Sequence, residues 1–218
     1  MKPRQPTGPL ETGASARSAV PLDDAAAALL SSARRIFETE GLPALSVRRV
    51  AEAAGCTTMQ VYSRFGGKDG LLQALFEEGF EALAAAQQAV PLSLPPAERV
   101  RRLCREYLRI AAERPHHYAL MLGARSGDFD PPAESRARAL RTLTHLVDAV
   151  GSALPATPDR AQRARDVAQQ ILALCHGWAT LSATRIVDGS RAVVVDEAVA
   201  ALLGPQGPDR CTNPGHRP

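Results

Sequence analysis

The residues best suited to do chemistry lie between positions 46 and 68, where basic and hydroxyl-bearing side chains are concentrated. This segment carries four basic side chains, those of Arg48, Arg49, Arg64 and Lys68, against one acidic side chain, that of Glu52. Residues 71–204, by contrast, carry 15 basic and 15 acidic residues. A local positive excess is what a phosphate-contacting surface requires. The pattern therefore favours such a surface in this segment.

Two short helices joined by a tight turn are predicted to position these side chains. Ser46 is a good N-cap for a helix over 47–54, whose apolar residues recur at i, i+3, i+4 and i+7. Gly55 permits the left-handed backbone of a tight turn, and Thr57 is the predicted N-cap of a third helix over about 58–64. This arrangement is a helix-turn-helix, which places its second helix in a DNA groove.

The exposed face of the third helix is the predicted DNA-reading surface. Val50, Val61 and Phe65 are expected to lock the helix pair onto the first helix. The N-terminal residues of a recognition helix meet base edges, where Gln60 can bind adenine and Met59 can meet a thymine methyl. The exposed face is predicted to consist of Thr58, Met59, Gln60, Tyr62, Ser63 and Arg64.

Several of these side chains also have a purely structural interpretation. Thr57 followed by Gln60 fits a capping box, so Gln60 either closes the helix start or reads a base, and the two roles are compatible. Tyr62 is either a phosphate contact, which we favour, or a half-buried packing residue. Lys68 opens the next helix, where a cation opposes the helix dipole unless an anion lies beside it. Arg49 is expected to be a solvated charge.

The stretch GLPALSVRRVAEAAGCTTMQVYSRFGGKDGLL resembles the DNA-binding domain of the TetR family of regulators. The resemblance covers roughly residues 25–75 without a gap, although Cys56 and Thr57 replace the family's usual Val-Ser. A second departure is the pair Gly66 and Gly67, which replaces a Pro-Ser or Lys-Asn type pair. The matching residues are Gly41, Ser46, Arg48, Val50, Ala51, Ala54, Gly55, Tyr62, Phe65 and Lys68.

This resemblance implies a role for each matching position. It implies that Ser46 and Arg48 touch phosphate or the groove edge, and that Tyr62 and Lys68 clamp phosphate. Base reading is implied for Thr58, Met59 and Gln60. The complete predicted DNA-binding set is Ser46, Arg48, Thr57, Thr58, Met59, Gln60, Tyr62, Ser63, Arg64 and Lys68.

The remaining pattern predicts an all-α fold of about nine helices, with an N-terminal three-helix domain and a larger C-terminal helical bundle. Prolines separate the other predicted helices, which span about 23–40, 68–89, 96–113, 115–122, 132–153, 159–187 and 192–203. The predicted domains are a flexible arm (1–22), a helix-turn-helix domain (23–70), an effector-binding and dimerisation domain (71–204) and a flexible tail (205–218).

The segments ERPHHYALMLG and ILALCHGWATLSATRIVDG resemble, more loosely, the C-terminal domain of one TetR subgroup. The residues that carry this likeness are Pro115, Tyr118, Leu120, Met121, His176 and Gly177. The resemblance implies that the last two helices form a four-helix bundle in a dimer. The apolar stripe on the first of them is a core, a dimer seam or both. Gly177 costs a helix about 1 kcal/mol relative to Ala, and close helix approach is the expected compensation.

An effector pocket would be enclosed by the middle helices. For each candidate lining residue the alternative is ordinary core packing, and His176 in particular fits a hydrogen-bonded core histidine. The adjacent pair His116 and His117 could suggest metal, but their side chains point about 100° apart on a helix. No metal or cofactor is therefore expected. The candidate lining residues are Phe76, Phe80, Leu83, Leu103, Tyr107, Met121, Leu122, His176 and Trp178.

The leading functional hypothesis is a homodimeric repressor that reads a near-palindromic DNA operator and is released by a small molecule, with an activator left open. The alternatives are a protein of the same fold that senses a ligand or partner without DNA, and an enzyme, which no catalytic constellation supports. The cysteines form no CxxC pair, so no zinc or redox motif is expected. The absence of a signal segment or long apolar stretch predicts a cytoplasmic protein without a membrane partner.

Overall fold

The structure is a computed structural model that describes residues 22–123, 129–189 and 193–204. Within these ranges the chain forms nine α-helices and no strand, so the predicted all-α fold is confirmed. The predicted arm up to residue 21 and the predicted tail lie outside the described residues. The helices are α1 (Leu22–Glu40), α2 (Val47–Ala53), α3 (Thr58–Phe65), α4 (Lys68–Gln88), α5 (Pro96–Glu113), α6 (Pro115–Leu122), α7 (Ala133–Ala153), α8 (Arg160–Ala183) and α9 (Val193–Leu203).

Helices α1, α2 and α3 enclose an apolar cluster together with the first half of α4. Val50 of α2 and Val61 of α3 are fully buried in it, and Phe65 packs against it, where the sequence pattern predicts all three. A short 3-10 turn, Leu42–Ala44, links α1 to α2. Gly55 has a φ of 64°, the left-handed conformation that the turn between α2 and α3 needs. The helix-turn-helix is therefore held by its own small core.

A second apolar cluster occupies the space between the second half of α4 and helices α5 to α9. Its members include Val100 and Leu103 of α5, Ile171 of α8 and Val199 of α9, all of which are buried. Leu83 brings α4 into this cluster, so the same helix contributes to both cores. The helix that begins beside the helix-turn-helix thus continues without a break into the C-terminal bundle.

The predicted end of α8 is wrong. The helix ends at Ala183 rather than at residue 187, because Arg185 adopts a left-handed backbone with a φ of 58°. The hydroxyl of Thr184 also donates to the carbonyl of Leu181 at 3.0 Å. At Gly177 no described atom outside the backbone of its own helix lies within 4 Å of where a Cβ would be, so the expected close helix approach is not made within the chain.

No helix among the described residues is both long enough and apolar enough to cross a membrane.

We predict that Gly70→Ala destabilises the protein by about 1–3 kcal/mol, the usual cost of overpacking. A Cβ at Gly70 would overlap the backbone carbonyl of Phe65, and a backbone atom cannot rotate away as a side chain can. The measurement is the free energy of unfolding in urea. Gly151→Ala in α7 is the control, because its Cβ would meet only Ala164 at 3.5 Å, an ordinary contact. Equal stability of the two variants would contradict this close approach.

Candidate functional site

The outer face of α3 presents large side chains to solvent. Met59 is 73% exposed and Tyr62 is 56% exposed, whereas Val61 between them is fully buried. Thr58 and Ser63 are exposed on the same helix, and Gln60 is half-buried. Exposed apolar and aromatic groups clustered on one polar surface mark a contact site for another molecule. This face carries the predicted base-reading residues.

The start of α3 is closed by a complete capping box. The Oγ1 of Thr57 accepts from the backbone N–H of Gln60 at 3.3 Å, and the Oε1 of Gln60 accepts from the backbone N–H of Thr57 at 2.8 Å. The capping interpretation of Gln60 is therefore confirmed. Its base-reading role stays a prediction, and the side-chain NH₂ group is the part that this cap leaves for a donor role.

Ser46 and Arg48 lie at the opening turn of α2. The Oγ of Ser46 accepts from the backbone N–H of Arg49 at 3.3 Å, so Ser46 is the predicted N-cap. Arg48 is exposed. Arg49 is exposed, as a solvated charge is expected to be, and its guanidinium also pairs with both carboxylate oxygens of Glu40 in α1. That hydrogen bond, ahead of the charge attraction, raises the pKa of Arg49 and fixes the side chain between α1 and α2.

Tyr62 and Lys68 both lie next to Gly67 at the junction of α3 and α4. A Cβ on Gly67 would lie 3.2 Å from the Cε1 of Tyr62, so the tyrosine ring rests directly on this glycine. Gly67 is the N-cap of α4 and provides no side-chain hydrogen bond to the first turn, whose N–H groups therefore remain without a side-chain cap. Lys68 is exposed at the first position of that helix. The start of α4 thus combines an exposed lysine with N–H groups that lack a side-chain cap, beside the ring of Tyr62, and a helix start of this kind suits a phosphate.

A cavity of about 330 Å³ lies in the C-terminal cluster between α4, α5, α6, α7 and α8. Most of its wall is apolar. Among the predicted pocket residues, those that line it are Phe76, Phe80, Leu83, Leu103, Tyr107, Met121 and Leu122. His176 and Trp178 lie outside the lining. That the cavity holds an effector stays a prediction.

The cavity wall includes residues that the sequence analysis did not propose. Helix α7 contributes Leu140, Leu143 and Leu146, whose i, i+3, i+6 spacing could have been noticed in the sequence. The buried Oε1 of Gln87 has no hydrogen-bond partner among the described residues. An unsatisfied amide in an apolar wall is unfavourable by itself and offers a ligand one polar anchor.

Two buried thiols, those of Cys104 and Cys175, also form part of this wall. The hydrogen bond between them raises the pKa of Cys104 well above its usual value, and burial raises it further. The thiol of Cys104 therefore stays protonated and nucleophilic chemistry there is disfavoured.

His176 is half-buried and hydrogen-bonded, so the hydrogen-bonding part of its structural interpretation is confirmed. Its Nδ1 lies 2.7 Å from the Oη of Tyr118, which lies 3.0 Å from the Oη of Tyr107. Burial is the main cause that raises the pKa of both tyrosines, so both hydroxyls stay neutral. This chain of polar groups ties α5, α6 and α8 together beside the cavity.

Two sequence families match this chain. Residues 29–75 match "Bacterial regulatory proteins, tetR family", and residues 100–203 match "Tetracyclin repressor-like, C-terminal domain". The first range contains the whole of α2 and α3, and the second contains α6, α7, α8 and α9. No protein among the curated sequences matches the chain.

Several solved structures share the fold. A regulatory protein that is 21% identical gives a TM-score of 0.69 over 84% of this chain and 97% of its own. A TetR-family transcriptional regulator from Streptomyces coelicolor is 20% identical, with a TM-score of 0.65 over 84% of this chain and 82% of its own. A protein of unknown function from Rhodococcus sp. RHA1 is 26% identical, with a TM-score of 0.64 over 87% of this chain and 95% of its own.

We predict that Gln87→Met raises the free energy of unfolding by about 1 kcal/mol, because it removes a buried amide whose oxygen is unsatisfied. Methionine has a similar length and suits an apolar wall. Urea denaturation measures the change. Gln88→Met at the exposed neighbouring position is the control and should change stability by less than about 0.5 kcal/mol. A loss of stability at Gln87 would show that its amide is satisfied in solution.

Proposed function

This chain belongs to the TetR family of DNA-binding transcriptional regulators, and we propose that it is a homodimeric repressor that a small molecule releases from its operator. The observation that carries this proposal is the surface formed by α3 and the start of α4. There an exposed recognition face lies directly beside an uncapped helix start bearing Lys68.

The recognition helix α3 enters the major groove in this proposal. Thr58, Met59 and Gln60 at its N-terminal end face base edges, and Met59 suits a thymine methyl. Arg48 and Ser46 contact the backbone at the groove edge. Thr57, Ser63 and Arg64 complete the contact surface. The high exposure of Met59 supports this arrangement, because an apolar side chain left in water gains free energy on reaching a methyl group.

Tyr62 and Lys68 clamp one phosphate next to the groove. The phosphate neutralises the ammonium of Lys68, which otherwise opposes the dipole of α4, and accepts from the first-turn N–H groups. The ring of Tyr62 is held in place by its contact with Gly67. These contacts position the protein on the duplex without reading its sequence.

Dimerisation through α8 and α9 brings two such surfaces onto one operator. Leu181, Ile186 and Val193 are large apolar residues exposed at the ends of these helices. The open space at Gly177 and the buried Nε1 of Trp178, which has no hydrogen-bond partner among the described residues, lie on the same helix α8. A second copy of the chain would cover these groups, and its two-fold axis would match a near-palindromic site.

The ligand response rests on α6, which contacts both parts of the molecule. His116 of α6 lies against Gly41 at the end of α1, and Met121 and Leu122 of the same helix line the cavity. A molecule in the cavity that displaces Met121 or Leu122 therefore acts on a helix that touches the DNA-binding part. Release requires the ligand to bind the DNA-incompetent arrangement more tightly than the competent one.

We predict that Lys68→Gln and Tyr62→Phe each weaken operator binding about tenfold, because each removes one contact to phosphate. Fluorescence anisotropy with DNA from the promoter of the chain's own gene measures the affinity. Lys68→Gln should also lower the slope of log K against log salt by about one unit. Arg102→Gln, an exposed charge on α5, is the control for net charge. Unchanged affinity in both variants would reject the clamp, and no preference for this promoter over shuffled DNA would reject operator binding.

We predict that Gln60→Glu separates the two roles of Gln60. Glutamate is the other residue of the capping box, so stability should stay within about 0.5 kcal/mol, whereas Gln60→Ala should lose about 1 kcal/mol. Glutamate cannot donate to a base, so binding to the operator should fall more than binding to unrelated DNA. An equal fall on both DNAs would indicate charge repulsion alone, and Gln60 would then be only a cap.

A further inference from the structure

His117 of α6 is buried in an unusual state. Its side chain is 1% exposed, and neither ring nitrogen has a hydrogen-bond partner among the described residues. Its Nδ1 lies 3.9 Å from the Oε1 of Glu38 in α1, too far for a hydrogen bond. The edge of the ring packs on Phe37, with 5.1 Å between ring centroids. A buried imidazole with two unused nitrogens is costly unless a ligand completes the site.

Two carboxylates meet His117 from different helices. One ligand atom each from Glu38 of α1, Glu78 of α4 and His117 of α6 lie within 4.8 Å of one another. The Oε1 of Glu78 forms an ion pair with the Nε of Arg34 at 2.6 Å, without the geometry of a hydrogen bond. Its Oε2 is buried and has no hydrogen-bond partner in the described part of the chain. The second oxygen of this carboxylate therefore remains available.

A cavity of about 230 Å³ leads to this cluster from the surface. Its lining residues are Glu38, Glu113, Arg114, Pro115, His116 and His117. The space admits a hydrated ion and leaves room for water ligands. Glu38 has a side chain that is 41% exposed, so it can move inward on binding. This freedom matters because a metal at about 2.0–2.2 Å from each ligand needs the three atoms closer together than 4.8 Å.

We propose that Glu38, Glu78 and His117 form a site for a divalent cation of the Zn²⁺ type, completed by water. One imidazole and two carboxylates are a donor set that suits Zn²⁺ and its neighbours among transition metals better than Mg²⁺ or Ca²⁺. His116 is not part of this cluster, so the site does not use the adjacent pair of histidines. It combines His117 with carboxylates far away in the sequence.

The surrounding charges are compatible with this assignment. Burial, ahead of the opposing effect of Glu78 and Glu38, lowers the pKa of His117. Arg34 pairs with Glu78, and Arg114 lines the cavity, so both guanidinium groups oppose a cation. Their side chains are 40% and 37% exposed, so water screens this repulsion, and the contacts they make are to the Oε1 of Glu78.

A cation here would fasten α1 to α6. These helices otherwise meet through the ring contacts of Phe37 with His116 and His117. The binding of the metal does not depend on the proposed function. Its effect on DNA affinity does rest on that function, because α1 packs against the helix-turn-helix and α6 lines the effector cavity. The structure thus points to a metal as a second regulator, distinct from the cavity ligand.

The first test is metal binding by the full, tag-free chain after removal of metal with EDTA and without DNA. Titration calorimetry with Zn²⁺ should give one site per chain, and Co²⁺ should give an absorption spectrum without thiolate bands. Glu38→Gln and His117→Gln should each weaken binding by about tenfold or more, whereas His145→Gln on α7 should not. Absence of binding, unchanged affinity in Glu38→Gln, or a thiolate band in the Co²⁺ spectrum would overturn the site.

The second measurement addresses folding and function separately. Thermal unfolding should show that Glu38→Gln folds as the parent does, because Glu38 is partly exposed. The test therefore stays valid even if the buried variant His117→Gln does not fold. Zn²⁺ should raise the unfolding temperature of the parent and leave that of Glu38→Gln unchanged, and an equal rise in both would overturn the site. Operator binding is then compared with and without Zn²⁺. Operator binding by the metal-free protein tests the proposed function independently.

Discussion

Burial of apolar side chains along the whole length of α4, in two different clusters, is the interaction on which the other features depend. Leu71, Leu72 and Leu75 in its first half belong to the core of the helix-turn-helix, and Leu83 belongs to the C-terminal core. The same helix begins at Lys68 and lines the cavity as far as Gln87. One continuous helix therefore joins the cavity wall to the helix start that bears Lys68.

The C-terminal core is less completely filled than the N-terminal one, and this difference has an energetic meaning. The cavity removes contacts from the apolar groups around it, which lowers stability relative to a solid core. In the core of the helix-turn-helix, by contrast, Leu29, Val50 and Val61 are fully buried.

The N-terminal part was predictable from the sequence because its signals are local. Ser46, Gly55 and Thr57 act on the backbone within a few residues, and caps and turns of this kind are read directly from residue type. The end of α8 was not predictable, because Arg185 has no intrinsic preference for the left-handed conformation that stops the helix.

Contacts between site residues that are far apart in the sequence could not be predicted from the sequence pattern either. Gln87 becomes an unsatisfied group only once α5 and α7 enclose it, and the meeting of Glu38 with His117 depends on how α1 packs on α6. The adjacent histidines lie on the helix that contributes His117 to the proposed site. Tertiary packing determines which residues of other helices contact each histidine, and the spacing of residues within one helix carries no information about those contacts.

The single tryptophan of the chain has a practical consequence. Trp178 is half-buried on α8, with an indole N–H that finds no acceptor among the described residues. Indole emission responds to polarity and to hydrogen bonding of that N–H, so the tryptophan emission of the chain comes from one known position beside the proposed subunit contact. Association of two chains can therefore be followed spectroscopically on the unlabelled protein, at concentrations where subunits separate.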